Sequence, residues 1–103
     1  MDELEQVAFN LISNVGMAKS LIMEGLVEAR NSNYEGSEAK LKEADTYLTE
    51  AHHAHFGLIQ KEAQGEPTTV SLILMHAEDQ LMTTEVMKDL VKEMILMYKK
   101  INN

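Results

Sequence analysis

The chain of 103 residues carries a formal charge of −8, with 45% hydrophobic and 25% charged residues and neither cysteine nor tryptophan. Such a length fits one domain, and the missing thiols exclude disulfides, thiolate catalysis and Cys-based zinc or iron–sulfur sites. The acidic balance argues against nucleic acid, whose phosphates need clustered Lys and Arg, and favours encounter with basic protein partners. The opening stretch MDELEQVAFNLIS is acidic where a secretory signal would be basic. No window approaches the ~18 uninterrupted apolar residues of a membrane span, so membrane insertion is not expected. A reducing, cytoplasmic setting fits these absences.

Leu4, Val7, Ala8, Leu11, Ile12, Val15, Ala18, Ile22, Leu26 and Ala29 recur at three- and four-residue steps. This period predicts a first helix over about residues 3–30. The stretch RNSNYEGS breaks the pattern, and Asn31, Ser32 or Asn33 is the expected cap of the next helix. A second pattern through Ala44, Leu48, Ala51, Leu58 and Ala63 predicts a helix over about 34–63. QGEPTT follows, with the only proline of the chain, Pro67. It separates helices, and Thr68 or Thr69 is the expected cap of a third helix over about 69–100.

Three helices of about 28–32 residues, each about 40–48 Å long, joined by short connections, make an all-α antiparallel up-down-up bundle. The third helix offers more than one apolar stripe. Val70, Ile73, Leu74, Ala77, Leu81 and Val91 form one, while Leu72, Met75, Met82, Val86, Leu90, Met94 and Met97 form another. A helix apolar on two sides is buried on two sides, so self-association is expected. With eight methionines in the chain, soft and adaptable packing suits both core and interface.

The four histidines fall in two places, AHHAHFGLIQ and LMHAEDQ. On a helix His52 and His55 share a face and His53 points elsewhere, yet a metal needs three or four ligands with supporting contacts. His76 shares a helical face with Asp79 and Gln80, three and four residues on. One reading is a partly buried histidine satisfied by the neighbouring carboxylate. The other is a nucleophilic imidazole, which can take a phosphoryl group on nitrogen and pass it on. Neither a serine triad nor a Gly-rich nucleotide loop is present.

The residues Ala51–His52, Leu58–Ile59–Gln60, Glu62–Ala63, Gly65–Glu66, Ser71–Leu72, His76–Ala77, Asp79 and Leu81–Met82 lie in the stretch AHHAHFGLIQKEAQGEPTTVSLILMHAEDQLM. This stretch resembles the IIA component of the lactose/cellobiose (chitobiose) class of the bacterial sugar phosphotransferase system, and the resemblance extends over essentially the whole chain. It implies a three-helix bundle assembled as a homotrimer. It further implies that His76 receives a phosphoryl group from the phosphocarrier HPr and gives it to a cysteine of a IIB partner. The membrane-bound IIC component would then take up a β-glucoside-type disaccharide such as cellobiose. Asp79 would face the trimer axis and share one divalent metal ion, Mg2+, with its symmetry mates, with Gln80 and His52 as possible supporting residues. Three carboxylates at an assumed ~6 Å would repel by roughly 3 kcal/mol per pair at an effective dielectric of 20, and a hard cation relieves this.

The chain departs from the family's HAQDH, reading HAEDQ, so Glu78 replaces Gln and Gln80 replaces a second histidine. Glu78 adds negative charge next to His76 and is expected to point away from the phosphoryl group. His55 and Phe56 stand where the family often has Gln and Thr. From other classes, a non-catalytic helical adaptor or a small metal-binding bundle using His52, His55, His76 and Asp79 would use the same residues.

Overall fold

The computed structural model describes residues 2–102 and contains α1 (Glu3–Arg30), α2 (Tyr34–Ala63) and α3 (Leu72–Ile101). The described residues extend over 54 × 23 × 20 Å, somewhat longer than the ~45 Å of one 30-residue helix.

Local chemistry sets each helix end. The Asp2 side chain caps α1 by accepting from Glu5 N–H at 2.8 Å, and Glu3 and Glu5 in the first turn complement the positive end of the helix dipole. At its other end the chain turns through Ser32, whose φ is +66°. Asn33 N–H returns to Glu28 C=O at 2.8 Å and Ser32 N–H to Ala29 C=O at 2.9 Å, which satisfies carbonyls the helix leaves unpaired. Gly65, with φ +84°, ends α2 in the same way. Asn33 caps α2 through Gly36 N–H, one of the three caps expected there.

The start of α3 differs from expectation. Neither Thr68 nor Thr69 caps it. Ser71 does, accepting from Leu74 N–H at 3.2 Å, and its extended backbone (ψ 160°) ends the linker. Pro67 and the β-branched run Thr68-Thr69-Val70 favour extended backbone, which delays the helix to Leu72. Val70, assigned by its spacing to the core stripe, is therefore a linker residue and 70% exposed.

The core lies along α1, which packs against both other helices, while α2 and α3 touch each other sparingly. Ala8, Leu11, Val15, Ala18, Ile22 and Ala29 of α1 meet Ala44, Leu48 and Ala51 of α2 and Leu74, Ala77, Leu81, Val91 and Ile95 of α3. Small alanines at the shared seam let three backbones approach. Gly25 serves this closeness: a Cβ there would stand 3.3 Å from Ser37 C=O and 3.4 Å from Lys40 Cβ. Thr84 and Ile95 are buried on α3 as well. The stripe from Leu81 to Val91 passes through the first and, continued by four residues, reaches the second.

The cap on α3 orients the segment that follows it. Ser71→Ala is expected to cost about 1 kcal/mol and to speed amide exchange in the first turn of α3, with Ser71→Asp restoring both. Denaturant melts with hydrogen exchange check this.

Candidate functional site

Helix α3 presents one apolar face to the core and another to solvent. From the capped start, Leu74, Ala77 and Leu81 turn inward and are buried. On the far side of the helix Leu72, Met75, Met82, Val86, Leu90 and Met97 remain exposed, with Met82 at 59% and Met97 at 60%. The second stripe read from the sequence is thus an apolar seam open along the full helix. Asp79 occupies a seam position, four residues after Met75 and three before Met82, and is itself exposed.

His76 sits beside this seam in the second turn of α3 and is exposed. Among the described residues neither its ring nor the Asp79 carboxylate has a hydrogen-bond or ion-pair partner; the contact at Asp79 is to its backbone carbonyl, from Thr83 Oγ1 at 2.9 Å. The buried His76–Asp79 pair that an adaptor would use is not formed. Gln80 is half-buried one turn beyond His76, on the flank toward α1. What the arrangement provides is an imidazole with open approach, next to an apolar surface.

The other histidines have a different employment, which the sequence did not reveal. His55 of α2 pairs with Glu78 of α3, His52 pairs with Glu85, and Lys88 reaches Asp45 at 2.9 Å. As α2 positions rise from 45 to 55, their α3 partners fall from 88 to 78, the register of antiparallel helices. These polar pairs stitch the α2–α3 edge, where apolar contact is thin. His55 Nδ1 and Glu78 Oε2 face each other shielded from solvent. Side-chain spacing along one helix cannot show such pairs, because they depend on the register between two helices.

This settles where Glu78 points. It lines a groove of about 460 Å³ with His55, Leu58, Met75, Asp79 and Met82. His76, two residues away and thus about 200° around the helix, opens on the opposite flank. The expectation that Glu78 turns away from His76 holds within the chain. His52 is not brought to His76: its partner Glu85 lies nine residues, about 13 Å, further along α3 and on the other side. His53 points toward the start of α1, in a polar cleft with Glu3, Gln6 and Asn10. The four residues of the small metal bundle therefore do not converge, and among the described residues of one chain no three metal-binding side chains cluster. Lys40, whose pKa is raised above its ordinary value chiefly by its hydrogen bond to Glu24, belongs to the α1–α2 flank.

Residues 6–99 match the family described as the lactose/cellobiose-specific IIA subunit of the PTS system. The chain belongs to that family. IIA components of this family are phosphoryl-transfer relay proteins of sugar transport. The chain is 45% identical over 98 residues to the oligo-beta-mannoside-specific EIIA component of Bacillus subtilis, covering 95% of this chain and 89% of that one. It is similar in structure to the cellobiose-specific enzyme IIA of Bacillus anthracis (TM-score 0.95, 40% identity, 99% of this chain and 94% of that chain). It is also similar to a chain in the solution structure of the IIA(Chitobiose)–HPr complex of Escherichia coli, with a TM-score of 0.85, 33% identity and all of both chains covered. In this IIA component no helix among the described residues is long and apolar enough to cross a membrane.

The pairing of Glu78 yields a separable prediction. Glu78→Ala is expected to loosen the α2–α3 edge, lowering the melting temperature by a few degrees, about 1 kcal/mol for a partly exposed pair. Phosphoryl acceptance, if His76 is the acceptor as the family resemblance implies, should persist, since the carboxylate is on the wrong flank to touch that ring. A melt and a phosphorylation time course on the same sample check both halves.

Proposed function

We propose that His76 is the phosphoryl acceptor of this IIA component, charged by an HPr-type carrier and discharged to a cysteine of a IIB partner. One observation carries the reading: the imidazole in the family's HA(Q/E)D segment is exposed and free of any side-chain partner among the described residues. The lone pair of an open ring nitrogen attacks the phosphorus of the donor's phosphohistidine. A new N–P bond forms, the donor's N–P bond breaks, and its electron pair returns to the donor ring. In the second step a IIB thiolate attacks the same phosphorus and the His76 imidazole leaves. The second turn of a helix is close to its positive end, which favours the added negative charge modestly. No basic side chain of α3 lies within the two turns around His76, so the chain itself does not hold the phosphoryl group in a deep ion pair, as suits a carrier that must release it.

The seam supports assembly as a homotrimer about α3. Apolar residues spaced at three and four along 30 residues form the contact surface of parallel helices. Three-fold packing would bring three Asp79 carboxylates together among methionines, an unfavourable cluster on its own. Asp79 fits a divalent cation: its carboxylate is an oxygen donor with no partner among the described residues, and a hard cation prefers that oxygen to the thioethers of Met75 and Met82 beside it. When bound, Mg2+ would offset two of the three negative charges, and Asp79 would hold it. Gln80, half-buried one turn from His76, is placed to hydrogen-bond the phosphorylated ring or its partner.

The relatives' names cover oligo-beta-mannoside, cellobiose and chitobiose systems. On that basis the sugar is a β-linked disaccharide or oligosaccharide such as cellobiose, selected by the IIC partner, with the IIA component acting in the cytoplasm.

His76→Ala is expected to abolish phosphoryl acceptance from the general phosphotransfer proteins and phosphoenolpyruvate, with helicity and oligomeric mass unchanged. Intact-protein mass and site mapping test it; a normally phosphorylated mutant sinks the assignment. His52, His53 and His55 substitutions should be milder.

A second expectation concerns Asp79. Asp79→Leu should keep or strengthen the trimer and make its melt insensitive to chelator, because an apolar axis needs no counter-ion. Asp79→Asn should be less stable than Leu, retaining a desolvation cost without ionic bonds. A wild-type melt indifferent to chelator, together with a monomeric Asp79→Leu in sedimentation, would remove the metal-centred trimer.

A further inference from the structure

The acid–base pairs along the α2–α3 edge stop at Lys88. Between the His55–Glu78 and Asp45–Lys88 pairs, ten positions of α2 answer to ten of α3. Continued at the same step, this register sets Lys92 opposite Leu41 and Lys99 opposite Tyr34. The structure agrees: Lys92 and Leu41 line one cavity, and the Lys99 ammonium lies over the Tyr34 ring, 5.6 Å from its centroid. At this end of the edge two lysines face an aliphatic and an aromatic side chain where carboxylates would complete the pattern. Among the described residues neither lysine has an ion-pair partner.

The helices part here around a cavity of about 290 Å³, at the small end of the range that ligand sites cover. Leu41, Ile95 and Leu96 give it an apolar wall. Ser37 lines it too. That residue is 1% exposed, and its Oγ has no hydrogen-bond partner among the described residues, which leaves a buried donor unsatisfied. Tyr34 Oη accepts from Asn102 Nδ2 at 2.8 Å, so its own proton is left to donate. Donors therefore prevail in the lining: two ammonium groups and two hydroxyls stand against one carboxylate, Glu38. This is a local reversal of sign in a chain of formal charge −8.

We propose that this cavity, between the start of α2 and the end of α3, binds a small organic monophosphate. Lys92, Lys99 and the Ser37 hydroxyl take the phosphate, and the body of the molecule lies on Leu41, Ile95 and Leu96. A phosphate supplies the acceptors that these donors lack, and two lysines match its two negative charges, where a carboxylate would bring one. Ammonium groups bind phosphate as point charges and need no fixed fork. The apolar wall calls for a carbon body, which bare phosphate lacks. The site is separate from the acceptor and from the seam. Lys92 and Lys99 lie about 24 and 35 Å beyond His76 along α3, and about 140° and 160° around it from Asp79. The proposal therefore stands independently of the relay reading.

The test titrates phenyl phosphate into the isotope-labelled full chain and follows the backbone amide shifts, with inorganic phosphate and benzyl alcohol as separate arms. Shifts are expected at Tyr34, Ser37 and Lys99 and not at His76, with a Kd of about 1 mM for so few atoms. Lys92→Gln and Lys99→Gln should each weaken binding about five-fold, and Glu38→Gln should strengthen it about two-fold. Ser37→Ala should also weaken it while raising the melting temperature of the free protein, because a buried hydroxyl without a partner is removed. If Ser37→Ala fails to fold, the lysine and Glu38 variants carry the test alone. Absence of shifts up to about 20 mM overturns the proposal, as do shifts confined to the His76 segment. Unchanged affinity in both lysine variants overturns it as well. Benzyl alcohol bound as tightly as phenyl phosphate overturns the charge assignment and leaves an apolar cleft; inorganic phosphate bound as tightly overturns the organic body.

Discussion

Everything in this molecule depends on how little surface three helices can hide from one another. Each buries one stripe, and α1 supplies the stripe that both neighbours use. Its alanines let α2 and α3 come close to it, while α2 and α3 meet each other mainly through polar side chains. With α1 taken as its partner, α3 has no second helix in the chain to cover its other face. The methionine-rich seam is open for that reason, and not because its residues tolerate water.

His76 and Asp79 take their different surroundings from this one arrangement. Asp79 falls on the seam, where a carboxylate among Met75, Met82 and Val86 makes little sense for an isolated chain. It makes sense if symmetry brings copies together around an ion. His76 falls about 60° away, at the boundary between the seam and the α1–α3 furrow, where an imidazole stays accessible. In the proposed relay, a residue that meets two successive protein partners has to lie outside the surface that assembly would cover, yet near it.

The polar pairs across the α2–α3 edge draw three of the most reactive-looking groups away from His76. Glu78 would add a negative charge two residues from the imidazole proposed to take on phosphate, but its contact with His55 holds it on the far flank. His55 is thereby more than a substitution for the family's usual glutamine. It supplies the partner for the carboxylate that this chain has at the next position of the motif. His52 is similarly occupied with Glu85. Two departures from the family pattern that look independent in the sequence thus compensate each other in space.

The sequence by itself determined the helices, the open seam and the family, and it singled out the histidine proposed as acceptor. Apolar spacing of three and four residues is a property of a single helix, and a helix knows its own period without reference to neighbours. His76 was legible because the motif around it is local and unbroken. The start of α3 was missed by about three residues, because several hydroxyl side chains in a row could cap and only the backbone path past Pro67 chose Ser71. What the tertiary structure alone decided was the relation between helices: His55 with Glu78, His52 with Glu85, Gly25 tight against Ser37, and Gly16 with open space. Those relations depend on the axial register and rotation of one helix against another, which are fixed by how whole stripes interlock and leave no periodic trace in any one of them.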